Sequence, residues 1–265
     1  GHRVHLLRLP LAAAGVWLCG RYAAIVSDPF IAAASLEGVP SAFQSARDGI
    51  DALLRDRGLR KTSPEDTAQS LLIGAWATAT LEGSAFTIDE LAAGGGDTTA
   101  RAAVRMSTEL LGLLPTWRRS PVQALARIHA LAAAGSVPED SLGRPVNPEG
   151  AKRLAALADL LSSQSTAPAL VIAALTHAEI ADAGAFVSHN AVVARAAERL
   201  VLVARGVDPA SVTVPEAGHV SAAPDYFAAL AGYSTGPNGV HSWLLYAAEA
   251  FTRGAEASPL ATGAN

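Results

Sequence analysis

The chain has 265 residues, of which 50% are hydrophobic and 17% are charged, and its formal net charge is −4. This length supports one large domain or two small ones, and we favour one. The low charge excludes a strongly basic nucleic-acid-binding or membrane-binding surface, so neither partner is expected. The single cysteine, Cys19, excludes an internal disulfide framework and a cysteine-based metal cluster. Together with a composition typical of bacterial chains, it favours a reducing, cytoplasmic environment.

The apolar run from Leu9 to Leu18 is too short to span a bilayer, which needs about 20 residues. Arg21 closes this run. We therefore expect an N-terminal extension over residues 1–39, one helical domain over 40–257 and a short C-terminal tail over 258–265.

Helix start and stop signals recur through the first half of the chain. Ser63-Pro64 places a hydroxyl at the N-cap and proline at N1, and Thr87 to Glu90 forms a capping box. Glycine runs and single glycines end these segments. The predicted helices are Pro40–Arg57 with a stop at Gly58, Pro64–Leu81, a short helix after Thr87, Asp97–Leu114, and one from Pro121 towards Gly135.

The second half is also helical. A proline-rich and glycine-rich loop is expected over Ser136–Gly150. Further helices are predicted over Asn147–Ser162, Pro168–Ala183, Asn190–Arg205, Asp225–Gly232 and Val240–Arg253. Alternation of β-branched residues over a strand length is nearly absent. The predicted fold class is therefore all-α.

The central stretch of the chain runs from Gly184 to Arg205. A short polar loop of Ser188, His189 and Asn190 leads into an apolar helix that carries Arg195. Free N–H groups and the helix dipole both favour an anion at such a junction. The alternative interpretation is an ordinary buried helix.

This stretch resembles the Fic family motif, H-P-F-x-[DE]-G-N-G-R-x-x-R. Phe186, Asn190 and Arg195 fall on the motif's Phe, Asn and second Arg. The other positions differ: Gly184 replaces the catalytic His, Ala185 the Pro, Ser188 the acidic metal ligand, His189 and Ala191 the two glycines, and Val192 the first Arg.

Two further segments support the resemblance. Thr78 to Gly83 fits the family's inhibitory motif, [ST]-x-x-x-E-[GN], whose Glu pairs with the motif's second Arg. The resemblance therefore implies an ion pair between Glu82 and Arg195. His129 on a helix, followed by Gly143-Arg144, matches the family's histidine helix and Gly-Arg flap. The resemblance also implies a helical fold similar to the Fic (Fido) fold.

Fic enzymes transfer a nucleotide phosphoryl group, usually AMP from ATP, to a protein hydroxyl. Gly184 has no side chain that could act as the base, and Ser188 is a poor ligand for Mg²⁺. Loss of both roles argues against the family's usual reaction. We therefore expect a non-catalytic protein with a nucleotide, phosphate or protein-segment site at Ser188, Asn190 and Arg195. ATP or another nucleotide is the possible ligand, with no certain cofactor.

Two alternatives stay open. One is an active nucleotidyltransferase that uses His189, or His177 on the preceding helix, as a displaced base. The other is a helical interaction module without a small-molecule site. A protein partner of unknown identity and a homodimer are both compatible with the sequence.

Each candidate residue also has a purely structural interpretation. Arg195 could form a surface or structural ion pair, for which its helical neighbour Glu198 is available, and Glu82 could be an exposed acid at a helix end. His129 and His177 are expected to be core residues with one backbone hydrogen bond each. No spacing of His, Asp or Glu is typical of a metal site, so none is expected.

Overall fold

The computed structural model describes residues 28–55 and 62–262. Over these residues the protein is helical, and the only β-type pairing is an isolated bridge between Ala134 and Val137. The predicted all-α class is therefore confirmed. No helix in these two ranges combines the length and apolar character needed to cross a membrane. The run from Leu9 to Leu18, Cys19 and the helix stop at Gly58 lie outside the described residues.

The α-helices of the described ranges are named here in chain order. They are α1 (Pro29–Ala34), α2 (Val39–Arg55), α3 (Pro64–Leu81), α4 (Ile88–Ala92), α5 (Thr98–Leu110), α6 (Leu114–Arg119), α7 (Pro121–Ala133), α8 (Pro148–Ser162), α9 (Ala169–Ala183), α10 (Asn190–Ala204), α11 (Pro215–Val220), α12 (Ala223–Gly232), α13 (Pro237–Glu256) and α14 (Pro259–Thr262).

Local capping explains why the predicted helix starts are accurate. In α3 the Ser63 hydroxyl accepts from the N–H of Asp66, whose carboxylate accepts in return from the Ser63 N–H. Thr87 and Glu90 form the same reciprocal pair before α4. Asn147 caps α8 through the N–H groups of its first turn. These contacts satisfy donors that the helix itself leaves free.

Several elements differ from the sequence prediction. The helix expected over Asp97–Leu114 ends at Leu110, continues as a 3₁₀ turn over Leu111–Leu113 and restarts as α6. Pro115 explains the break, because its ring would clash with the carbonyl four residues earlier. Helices α1, α11 and α14 were not predicted at all. They have six, six and four residues, too few to show an apolar period.

The antiparallel pair α9 and α10 forms the centre of the fold. Both helices are buried on nearly all sides, and every residue from Val192 to Val203 is buried. Helices α7, α8, α11 and α13 pack around this pair, while α3 packs on α5 and α11. A helix buried on all sides has no polar face. Any charged side chain on α10 must therefore find its partner inside the protein.

The ends of the described chain also pack on this body. Phe30 in α1 and Leu260 in α14 are both buried. The boundaries proposed after residues 39 and 257 stay predictions.

Candidate functional site

A six-residue loop, residues 184–189, joins α9 to α10. Gly184 ends α9 in the left-handed region with a φ of 52°. His189 precedes α10 and also lies in that region, with a φ of 58°. This conformation favours glycine and is unfavourable for residues with a β-carbon. The backbone at His189 thus keeps the conformation expected of the glycine in the family motif, although the residue there is histidine.

Asn190 holds this loop closed through its side-chain amide. Its Oδ1 accepts from the N–H of Phe186 at 3.0 Å, and its Nδ2 donates to the Phe186 carbonyl at 2.9 Å. The oxygen and the nitrogen of the amide therefore each make one hydrogen bond within the loop. A contact of Asn190 with an anion stays a prediction.

Arg195 and Glu82 form the ion pair that the resemblance implies. The Arg195 Nη2 donates to Glu82 Oε1 at 2.5 Å, and the Nη1 donates to the Tyr226 hydroxyl at 3.1 Å. The Arg195 side chain is fully buried, whereas that of Glu82 is 31% exposed. The alternative of a surface ion pair between Arg195 and Glu198 is wrong, because neighbouring helices cover both side chains. We call the Glu82–Arg195 pair the latch.

Glu82 is the C-cap residue of α3, where the helix dipole disfavours a negative charge. The guanidinium of Arg195 offsets this cost. Gly83 follows with a φ of 93°, so the chain can turn away from the helix directly after the acid.

A small cavity lies between the latch and the loop. Its volume is about 100 Å³, and its lining includes Thr78, Glu82, His189 and Val192. Ligand pockets for drug-sized molecules are commonly about 300–1,000 Å³. The cavity therefore has room for a few water molecules, but not for a nucleotide.

The fold favours the neutral form of the two histidines beside the loop, because the pKa of each is lowered. Burial, and secondarily repulsion from His189, lowers the pKa of His129. Burial also lowers the pKa of His189, although Glu82 acts in the opposite direction. His129 stacks on Phe186 with ring centres 4.3 Å apart, and its Nδ1 accepts from the N–H of Gly143. The expected backbone hydrogen bond of His129 is therefore present.

Ser188 contacts only its neighbour among these side chains. Its Oγ lies 2.7 Å from His189 Nδ1, and Ser188 does not line the cavity. The structure thus brings His189, Glu82 and Thr78 together around one cavity.

Comparison with known structures is consistent with this arrangement. A Fic family protein from Desulfovibrio desulfuricans G20 superposes with a TM-score of 0.68 at 17% identity, covering 81% of this chain and 73% of that one. Fic-1 (residues 134–508) from C. elegans superposes with a TM-score of 0.61 at 15% identity, covering 82% and 72%. The chain has the Fic fold. No protein-family model and no curated protein matches its sequence.

In this Fic-fold protein a second arginine of α10 connects three elements. Arg199 binds Glu216 of α11 through two hydrogen bonds of 2.9 and 2.6 Å. Its Nη1 also donates to Ser70 of α3 at 3.0 Å and to the Ser211 hydroxyl at 2.9 Å. Gly74 of α3 lies against this pair, where a β-carbon would come within 2.7 Å of the Arg199 Nη2. Arg199 thus fixes α3, which carries Glu82, against α10.

Behind Arg195 the Fic-fold protein has a cluster of buried polar side chains. His177 of α9, Glu198 of α10 and His219 of α11 meet there, and we call them the His-Glu-His cluster. Glu198 Oε2 lies 3.2 Å from His177 Nδ1 and 2.9 Å from His219 Nε2. His177 contacts side chains only, so the predicted backbone hydrogen bond is absent for this residue.

The outer nitrogens of the cluster face two tyrosines. His177 Nε2 lies 3.0 Å from the Tyr226 hydroxyl, and His219 Nδ1 lies 2.9 Å from the Tyr246 hydroxyl. Burial lowers the pKa of His177 to about 4. Burial would raise the pKa of Glu198, but His177 and His219 outweigh it and lower that pKa to about 2. The two histidines therefore favour the ionised form of Glu198.

The sequence prediction did not include Glu198, His219 or Tyr226 among the functional candidates. One signal for Glu198 was available. It stands in a helix without a polar face, so its charge had to be buried and paired. His219 and Tyr226 carry no such local signal, because only the packing of α11 and α12 brings them to the cluster.

Proposed function

We propose that this is a non-catalytic Fic-like protein that acts in binding or regulation rather than as a nucleotidyltransferase. The observation that carries the proposal is the latch. Arg195, the residue placed to contact a phosphate, already has a carboxylate as its partner. An anion could reach Arg195 only by displacing Glu82, and a buried guanidinium holds such a partner strongly.

Three other observations support the proposal. Gly184 offers no group that could accept a proton at the position of the family's base. The cavity of about 100 Å³ is too small for ATP. The Asn190 amide is engaged with the backbone of Phe186 through both its oxygen and its nitrogen. Opening the latch is the step by which a phosphate-bearing ligand or a protein segment would enter.

A second candidate, an active nucleotidyltransferase, has one observation in its favour. His189 lines the cavity beside Glu82, and burial lowers its pKa, so its neutral ring could accept a proton. His189 would act here as the displaced base. The His189 ring also occupies space in which a phosphate would have to lie. This favours the hypothesis of a non-catalytic protein.

The test is incubation of the purified protein with ATP labelled on the α-phosphate, together with Mg²⁺ and a bacterial lysate. We expect no label on the protein itself or on lysate proteins. Label above background that disappears in His189→Ala would overturn the proposal in favour of the displaced-base enzyme.

Calorimetry with ATP separates binding from transfer. We expect no heat of binding with the wild type and weak binding with Glu82→Gly, which opens the latch. Glu256→Gly is the matched control, because it removes an exposed acid from the end of another helix, α13. If folded Glu82→Gly does not bind ATP, a nucleotide is excluded as the ligand and a protein segment is the proposed ligand that is left.

A further inference from the structure

The His-Glu-His cluster brings three potential metal ligands together from three different helices. Every pair of ligand atoms on His177, Glu198 and His219 lies within 4.8 Å. All three side chains are at most 1% exposed. Consecutive members of the cluster are 21 positions apart in the chain, so no short sequence motif predicts the cluster.

Two atoms at the centre of this cluster lack hydrogen-bond partners. His177 Nδ1 lies 3.2 Å from Glu198 Oε2, but the two groups are too poorly aligned for a hydrogen bond. Glu198 Oε1 is also buried without a partner. Buried polar atoms in folded proteins are nearly always bonded. A ligand between these atoms would satisfy both.

The charge balance around Glu198 points in the same direction. The neighbouring arginines of α10 are already paired, Arg195 with Glu82 and Arg199 with Glu216. Glu198 therefore has the two imidazole rings as its direct partners, and neither arginine donates a hydrogen bond to it. A buried carboxylate is stabilised by close positive charge and by full hydrogen bonding. A bound cation would supply both a close charge and a partner for the second carboxylate oxygen.

The tyrosines around the cluster resemble the outer partners of metal-binding histidines. Metal-bound histidines normally use their second ring nitrogen in a hydrogen bond, which fixes the orientation of the ring. Tyr226 and Tyr246 contact the outer nitrogens of His177 and His219 in this way. The inner nitrogens, Nδ1 of His177 and Nε2 of His219, are then directed towards Glu198.

We propose that His177, Glu198 and His219 bind one divalent transition-metal ion, with Zn²⁺ the best match. Two imidazole nitrogens and a carboxylate form a ligand set that suits Zn²⁺. The second carboxylate oxygen of Glu198 supplies a fourth donor atom. The ion is structural, because the cluster is closed to solvent, and it fastens α9, α10 and α11 together. This proposal does not depend on the proposed function.

The test is metal analysis of the purified full chain by inductively coupled plasma mass spectrometry. We expect close to one zinc per chain after dialysis. In protein stripped with a chelator, added Co²⁺ should give the intense visible absorption of a tetrahedral site. A folded wild type that contains no metal and gives no Co²⁺ spectrum would overturn the proposal and leave the cluster as a hydrogen-bond network.

Variants locate the site. His177→Ala and His219→Ala should abolish the Co²⁺ spectrum, whereas His241→Ala, outside the cluster, should leave it unchanged. Tyr246→Phe keeps all three ligands and should weaken Co²⁺ binding by about 10–100-fold through loss of the outer contact. A Co²⁺ spectrum that persists in both folded cluster variants would contradict the assignment. If these variants do not fold, the wild-type metal content and spectrum decide the question.

Discussion

Glu82 and Arg195 are 113 residues apart in the chain, and their side chains are joined by a hydrogen bond of 2.5 Å. The pair joins the end of α3 to α10, the helix that follows the loop. One partner is fully buried and the other reaches solvent. The latch is therefore held from inside the protein but is accessible from outside.

The latch should contribute measurably to stability. Removing one partner of a buried ion pair costs about 3–5 kcal/mol. Because Glu82 is partly exposed, we expect Glu82→Gln to lower the free energy of unfolding by about 3 kcal/mol, the low end of that range. Urea unfolding of Glu82→Gln, Arg195→Met and the double variant measures the coupling. Additive effects of the two substitutions would mean that the side chains do not interact in solution.

The left-handed backbone at His189 predicts a stabilising substitution. A β-carbon in this region costs roughly 1–2 kcal/mol. His189→Gly should therefore unfold at a higher temperature than His189→Ala, since both lack the ring and only alanine keeps the strain. Thermal unfolding of the two variants gives this comparison directly. Equal stabilities would indicate that the loop relaxes away from this conformation.

Gly74 should not tolerate even a methyl group. A β-carbon there would lie 2.7 Å from the Arg199 Nη2 and 3.1 Å from a carboxylate oxygen of Glu216. We expect Gly74→Ala to lower the free energy of unfolding by about 1–3 kcal/mol through overpacking.

Gly49→Ala is the matched control for Gly74, because Gly49 lies in α2 with nothing within 4 Å of an added β-carbon. Alanine at that site should stabilise the helix by about 0.5–1 kcal/mol. Chemical denaturation of both variants measures the contrast. A stabilising Gly74→Ala would contradict the close approach of α3 to the Arg199–Glu216 pair.

The protein should become less stable as the pH falls below about 6.5. The pKa of His129 is lowered from its ordinary value of 6.5, mainly by burial. As the pH falls, the unfolded chain therefore takes up a proton before the folded protein does. Above pH 6.5 both states carry a neutral histidine and the stability is unaffected. As the pH falls from 6.5 to the lower pKa of His129 in the folded state, the free energy of unfolding decreases.

His129→Gln keeps an acceptor for the Gly143 N–H and removes this titration. Between pH 7 and pH 5 the free energy of unfolding of His129→Gln should fall less steeply than that of the wild type. The two slopes should differ by at most about 1.4 kcal/mol per pH unit. Urea unfolding across this range measures the difference. Parallel curves would show that His129 is not kept neutral by the fold.

Local signals were sufficient for most of the fold. Proline at N1, capping boxes and glycine stops act over a few residues, so the starts of α3, α4 and α8 could be placed from the sequence. The short helices α1, α11 and α14 and the break before Pro115 were missed. Elements of only a few residues produce no apolar period that a sequence would reveal.

The resemblance of two short segments indicated that Glu82 and Arg195 should meet, and the fold places them in contact. The motif position of Asn190 did not predict that its amide would bind the backbone of Phe186. Side-chain partners depend on loop conformation, and here the loop closes on itself.

The sequence by itself therefore determined the helical class, the helix starts and the central loop-to-helix junction, because these depend on neighbours within a few residues. Only the tertiary structure decided which charges are buried and how they are paired. Glu198 and Arg199 follow each other on α10, yet one meets two histidines and the other meets Glu216. That outcome depends on which helices surround α10, because a helix buried on all sides leaves each charge no partner except those that packing brings to it.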